Sequence, residues 1–134
     1  MKSYDRVKNV RVLSFGYKYR EVPKANIVFD VRFLQNPYYD ETLRPFSGLD
    51  KNIQDYVLGQ ADCQKFLRQL KSVLKLGLNG YDKFGSSHET ITIAFGCTGG
   101  KHRSVTLAIT TAKLVAKIWP KFSVSLEHLD LGKE

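Results

Sequence analysis

Apolar and polar positions along this chain fall into alternating strand-like and helix-like stretches. Val10, Val12, Leu13 and Phe15 lead into Gly16, which predicts a first strand over 10–16. A second β-branched run predicts a strand over 27–33, with Asp30 and Arg32 at the same parity and so on one side. Residues 34–46 lack a period and carry Pro37 and Pro45, so they read as a long loop suited to a lid or binding role. Asp50 can cap a helix running to about Gly59. A longer helix is predicted over 61–78, with Phe66, Leu67, Leu70, Val73, Leu74 and Leu78 as its apolar stripe. Residues 80–87 then form a turn, 90–95 a strand, and 103–119 a helix that Pro120 stops. A last strand is expected over 122–126, after a ragged start at 1–9. Strand and helix alternate, which predicts a single α/β domain over 1–134 with its core at about 10–131. It would be a layered sandwich with a mostly parallel sheet of about four strands flanked by helices.

Composition narrows the function classes. The chain has 134 residues, 43% of them hydrophobic, enough for one globular core. No apolar run approaches the ~20 residues that span a bilayer, and the N-terminus lacks a signal-peptide core, so no membrane partner is expected. Cys63 and Cys97 fall in different predicted elements, which argues against a disulfide framework and for a cytoplasmic setting. His88, His102 and His128 are scattered without zinc spacing, so neither a metal nor a cofactor is called for. The net charge of +8 favours phosphorylated ligands or polyanions. Lys65, Arg68, Lys71 and Lys75 share one face of the long helix, a candidate RNA-facing stripe. An ordinary solvated face is the alternative.

The chemistry concentrates between the strand at 90–95 and the following helix. Cys97, Thr98, Gly99, Gly100, Lys101, His102, Arg103 and Ser104 put reactive groups and two glycines at a helix N-terminus. Free backbone N–H groups and the positive end of the helix dipole bind anions there, so the loop reads as a phosphate cradle. A Walker A loop fits poorly, because Phe95 stands where its first glycine belongs and His102 replaces the magnesium-binding hydroxyl. Cys97, five residues, then Arg103-Ser104 does match the spacing of cysteine-dependent phosphatases. Gly96, however, stands where those enzymes usually carry His.

Four ordered motifs now bear on ancestry. They are Ser14-Phe15-Gly16-Tyr17-Lys18, Val28-Phe29-Asp30-Val31-Arg32-Phe33-Leu34-x-Asn36-Pro37, Leu43-Arg44-Pro45-x-x-Gly48-Leu49-Asp50 and Gly96-Cys97-Thr98-Gly99-Gly100-Lys101-His102-Arg103-Ser104-Val105. Together they resemble the C-terminal domain of the RapZ family, bacterial RNase adapter and nucleotide-binding proteins. The resemblance implies a fold like a sugar-phosphate kinase subdomain without kinase activity. It implies binding of an amino-sugar phosphate, glucosamine-6-phosphate, along with small regulatory RNA binding and oligomer formation. It places Asp30, Arg32, Asn36, Cys97, Thr98, Gly99, Gly100, His102 and Arg103 in the ligand pocket. Full-length members also carry an N-terminal P-loop domain, which this sequence is expected to lack. Tyr38 stands where the family usually has His, altering one pocket wall. Glu127-His128-Leu129-Asp130-Leu131 replaces a family Arg-His-Arg-Asp-Leu, so two candidate phosphate contacts are absent.

The sequence therefore predicts a non-catalytic sensor or adapter for a phosphorylated small molecule, with Asp30 accepting hydroxyls and Arg103 holding phosphate. RNA, a second copy of the chain and a full-length relative are the further partners considered. The alternatives are a phosphohydrolase using Cys97 and Arg103, and a protein-interaction adapter or decoy with a vestigial pocket.

Overall fold

A computed structural model describes residues 6–84 and 89–133. Its elements are β1 (Asn9–Gly16), β2 (Ile27–Asp30), a short 3-10 turn (Pro37–Tyr39), α1 (Lys51–Leu58), α2 (Ala61–Phe84), β3 (Thr90–Cys97), α3 (Arg103–Ile118) and β4 (Ser123–His128). The strands form one sheet in the order β2-β3-β1-β4, with every pairing parallel. This is the layered α/β arrangement that the alternation predicts.

Strand parity divides the sheet into two faces. Val10, Val12, Ile91, Ile93 and Phe95 point into the main core with Ile53, Leu70, Leu74, Leu78, Leu107 and Val115 from the helices. Leu13, Phe15 and Ala94 point the other way, into a small cluster with Tyr17, Ala25 and Leu129. The helices thus cover one face, and the connection after β1 covers part of the other. Among the described residues no helix is long and apolar enough to cross a membrane.

Four elements depart from expectation by two residues or more, the first being β3, which runs past 95 to Cys97. β2 stops at Asp30 rather than Phe33, because the Asp30 carboxylate accepts from the Arg32 backbone N–H at 3.0 Å and Leu34 N–H turns back to the Val31 carbonyl. Such local bonds compete with a sheet ladder. α2 runs past Gly80 to Phe84. Its last turn is anchored by Asp82, which accepts from the backbone N–H groups of Arg6 and Val7 and from Lys121 Nζ at 2.6 Å. The rest of the expected turn, 85–87, and His88 lie outside the described residues. β4 reaches His128, two residues beyond the predicted end, where the Ser14 hydroxyl meets His128 Nδ1 at 2.6 Å. α1 begins after Asp50 as expected, but its carboxylate accepts from Ser47 N–H instead of capping the helix.

Candidate functional site

Parallel strands place all their C-terminal ends on one edge, where α/β folds build sites. Here that edge gathers the segments leaving β1, β2 and β3 around a cavity of about 480 Å³. Lys18 comes from the first, Asn36, Tyr38 and Tyr39 from the second, and Cys97, Thr98, Gly99, Lys101, His102 and Arg103 from the third.

Close backbone packing shapes the third segment. Gly100 has φ +65°, and a Cβ there would lie 2.7 Å from Gly16 N. A Cβ on Gly16 would in turn lie 2.7 Å from Gly99 C. Gly16 is itself held by Asp130, whose Oδ2 accepts its backbone N–H at 2.8 Å. The Asp130 side chain is fully buried and also accepts from Arg20 at 2.8 Å and Lys133 Nζ at 2.6 Å. Burial alone would raise its pKa, but the bonds from Arg20, Lys133 and Gly16 outweigh it and hold the carboxyl down at about 2. Asp130 therefore positions the cradle from the far end of the chain.

Lys101, His102 and Arg103 of the loop reach across to residues 32–48. Lys101 Nζ donates to the Arg44 carbonyl at 3.0 Å. His102 Nε2 meets the Phe46 carbonyl at 2.6 Å, and since a carbonyl only accepts, Nε2 carries the proton. Arg103 Nη1 donates to the carbonyls of Arg32 at 3.1 Å and Leu34 at 2.9 Å. The Gly48 N–H returns a bond to the Lys101 carbonyl. The long loop is thus a strap tied down by the cradle's own side chains. Arg103 is only 4% exposed, its Nη2 makes a long 3.4 Å contact with Thr98 Oγ1, and its buried Nε has no partner among the described residues. Its Nη1 edge is fully used while the Nε–Nη2 edge, the one that grips oxyanions two at a time, is nearly empty.

Cys97 is buried beside the same cavity. Its Sγ donates to Ser104 Oγ at 3.0 Å, and the Ser104 backbone N–H points at Sγ from 3.4 Å. Ser104 is fully buried and does not line the cavity, and neither does Gly100; both act behind the wall. Asp30 and Arg32 pair with each other, Nε to Oδ1 at 2.9 Å and Nη2 to Oδ2 at 2.6 Å, and they also stand outside the lining. The hydrogen bond from Arg32 holds the Asp30 carboxyl below its usual range. Arg32 also stacks 3.8 Å above the Tyr17 ring. Of the pocket residues expected from sequence, the structure brings seven to the cavity: Asn36, Cys97, Thr98, Gly99, Lys101, His102 and Arg103.

Lys18, Tyr38 and Tyr39 complete the lining beyond that set. Arg44 stiffens the wall by stacking 4.6 Å from the Tyr38 ring and donating to the Tyr38 carbonyl at 2.7 Å. In the sequence, basic and aromatic residues interleave in Tyr17-Lys18-Tyr19-Arg20, and this run and the aperiodic loop at 34–46 are the signals that could find these residues. Lys65, Arg68, Lys71 and Lys75 are all exposed on α2, away from this cavity.

A model of the RapZ C-terminal domain matches residues 8–132. The chain belongs to the RapZ C-terminal domain family. Relatives named nucleotide-binding protein occur in Lactobacillus acidophilus, at 44% identity over 93% of this chain and 41% of the relative. Others are found in a Thermoanaerobacter species, at 43% over 93% and 43%, and in Renibacterium salmoninarum, at 43% over 96% and 41%. The chain thus spans about two fifths of the length of these relatives. For this RapZ C-terminal domain the four motifs are now placed in space: three of them wall the cavity and the fourth, at 43–50, is the strap's anchor.

Proposed function

We propose that this RapZ C-terminal domain is a non-catalytic sensor module that captures a phosphorylated small molecule at residues 97–103. The observation that carries the reading is Arg103: a buried guanidinium beside a cavity, fixed by two carbonyls on one edge and left with an unpartnered Nε on the other. An unpaired buried donor is costly, and an incoming phosphate oxygen relieves it. Thr98, Gly99 and the start of α3 supply the remaining donors. Glucosamine-6-phosphate, the ligand that family resemblance implies, is the first to test, with Asp30 the nearby carboxylate for its amino and hydroxyl groups.

The test is thermal stabilisation by inorganic phosphate, glucosamine-6-phosphate, glucose-6-phosphate and ADP, for wild type and Arg103→Lys. Ligand at 100 times its dissociation constant adds about 2.7 kcal/mol. Arg103→Lys keeps the charge and removes the Nε edge, so the shift should fall sharply. No shift with any of the four sinks the reading.

One observation favours a second reading, phosphoryl transfer to Cys97: the Ser104 hydroxyl oxygen accepts from Sγ, and the Ser104 backbone N–H points at it. Against it, among the described residues no Asp or Glu lines the cavity to act as the acid that protonates a leaving group. Cys97→Ser separates the two readings. Ligand stabilisation should survive, whereas any phosphatase turnover should vanish; turnover lost in Cys97→Ser but present in wild type would favour the enzyme.

A further inference from the structure

α2 and α3 leave a shallow groove of about 390 Å³ between them, which shares no lining residue with the cavity. Gln64, Leu67, Arg68 and Lys71 line it from α2, and Thr110, Lys113, Leu114 and Lys117 from α3. Both sets follow the same rule, one residue, then two adjacent ones three and four positions on, then one at seven. Each helix therefore shows two successive turns of one face, about 10 Å of groove. The half-buried Leu67 and Leu114 form an apolar floor, and four exposed cations, Arg68, Lys71, Lys113 and Lys117, form the rim. Among the described residues no carboxylate lines the groove, and none of these four cations makes an ion pair or side-chain hydrogen bond.

We propose that this groove docks an acidic amphipathic helix of a partner protein. A ridge of leucine-like side chains would cover Leu67 and Leu114, and flanking carboxylates would meet the four cations. Both halves of the complementarity are needed. The cations alone would suit any polyanion, and phosphate backbones draw affinity from charge without apolar contact. A leucine floor set between two cationic rows gains only from a partner that brings apolar atoms to it. The cation stripe foreseen from sequence is split accordingly: Arg68 and Lys71 turn to the groove, while Lys65 and Lys75 stay outside it.

The experiment is fluorescence anisotropy with a labelled helical peptide of about 16 residues, long enough to hold helix in water, carrying Leu at one-four-eight spacing and Glu beside each Leu. Comparators are the same peptide with Leu→Ser, the same peptide with Glu→Lys, and a single-stranded oligouridylate. The acidic leucine peptide should bind. It should weaken about tenfold or more with Leu→Ser, and again against Arg68→Glu/Lys113→Glu protein. That charge-reversed protein, its rim now neutral overall, should no longer prefer the acidic peptide to the lysine peptide. Lys71→Ala/Lys117→Ala, a milder pair, keeps the test open if the double reversal melts early. No binding of the acidic peptide, equal binding after Leu→Ser, or oligouridylate binding that is tighter and lost in the same variants would overturn the proposal, the last in favour of RNA.

Discussion

Two basic regions of this domain use their charge in opposite ways. At the cavity, Lys101, His102 and Arg103 each hold a backbone carbonyl of the strap, from 2.6 to 3.1 Å away. On the α2–α3 rim, Arg68, Lys71, Lys113 and Lys117 stand in solvent without an ion partner among the described residues. Along the sequence both are simply basic positions. The fold separates them through desolvation. A polar or charged group taken out of water must be partnered, so these cavity side chains organise backbone whether or not a ligand is present. A cation left in water costs nothing unpaired, so the rim cations act only through what approaches them. The first set is expected to govern stability and ligand capture together, and the second association alone.

The sharpest way to break that contrast is Arg103→Ala. It strips two charge-assisted bonds and orphans the Arg32 and Leu34 carbonyls, each bond being worth about 1.5–3 kcal/mol. Urea unfolding should show a loss of about 4 kcal/mol, and a loss under 1 kcal/mol would place Arg103 with the dispensable cations. Gly16→Ala comes next. Its new Cβ would meet backbone atoms of Gly99 and Gly100 at 2.7 and 2.8 Å, where no flexible side chain can give way. About 3 kcal/mol should go, and phosphate stabilisation with it.

How much of this was legible follows the same division. β1 and α3 could be read to within a residue, and β3 and β4 to within two, because alternation, a stopping proline and a glycine loop are local features. β2 was read too long because Asp30 looks like a strand residue until its carboxylate caps Arg32 N–H. α2 was read too short because Gly80 looks like a break, and only Asp82, fixed by residues far along the chain, keeps the helix going. At the site, the cradle's residue types announced anion chemistry. The strap did not announce its attachment, since carbonyl oxygens are the same in every residue. Asp130 was the least legible of all. In sequence it is one more acid in a charged tail, and only the fold reveals it beneath Gly16.

Asp130 gives the next prediction. Its carboxyl titrates near 2 in the folded chain, below the ordinary value of 3.8. The stability it contributes is complete above about pH 4 and is lost as pH falls towards 2, by about 2 kcal/mol. Wild type should lose stability steeply across that window. Asp130→Asn should be weaker at neutral pH and fall less steeply below pH 4. Parallel slopes in the two proteins would show that other carboxylates drive the acid transition.

The smallest effect tests the other side of the contrast. Arg68 and Lys71 sit three apart on α2, and Lys113 and Lys117 four apart on α3, so each pair is a like-charge neighbour on a helix face. Such pairs destabilise by a few tenths of a kcal/mol. Arg68→Ala and Lys117→Ala should therefore leave stability within about 0.5 kcal/mol of wild type, or raise it slightly, and the difference should shrink as salt screens the repulsion. The salt dependence is the informative part. A cation that holds structure loses stability when removed, and a repelled cation gains it, with the gain fading in salt. If either variant instead loses more than 1 kcal/mol, the rim cations are structural after all, and their clustering around Leu67 and Leu114 ceases to point to a partner.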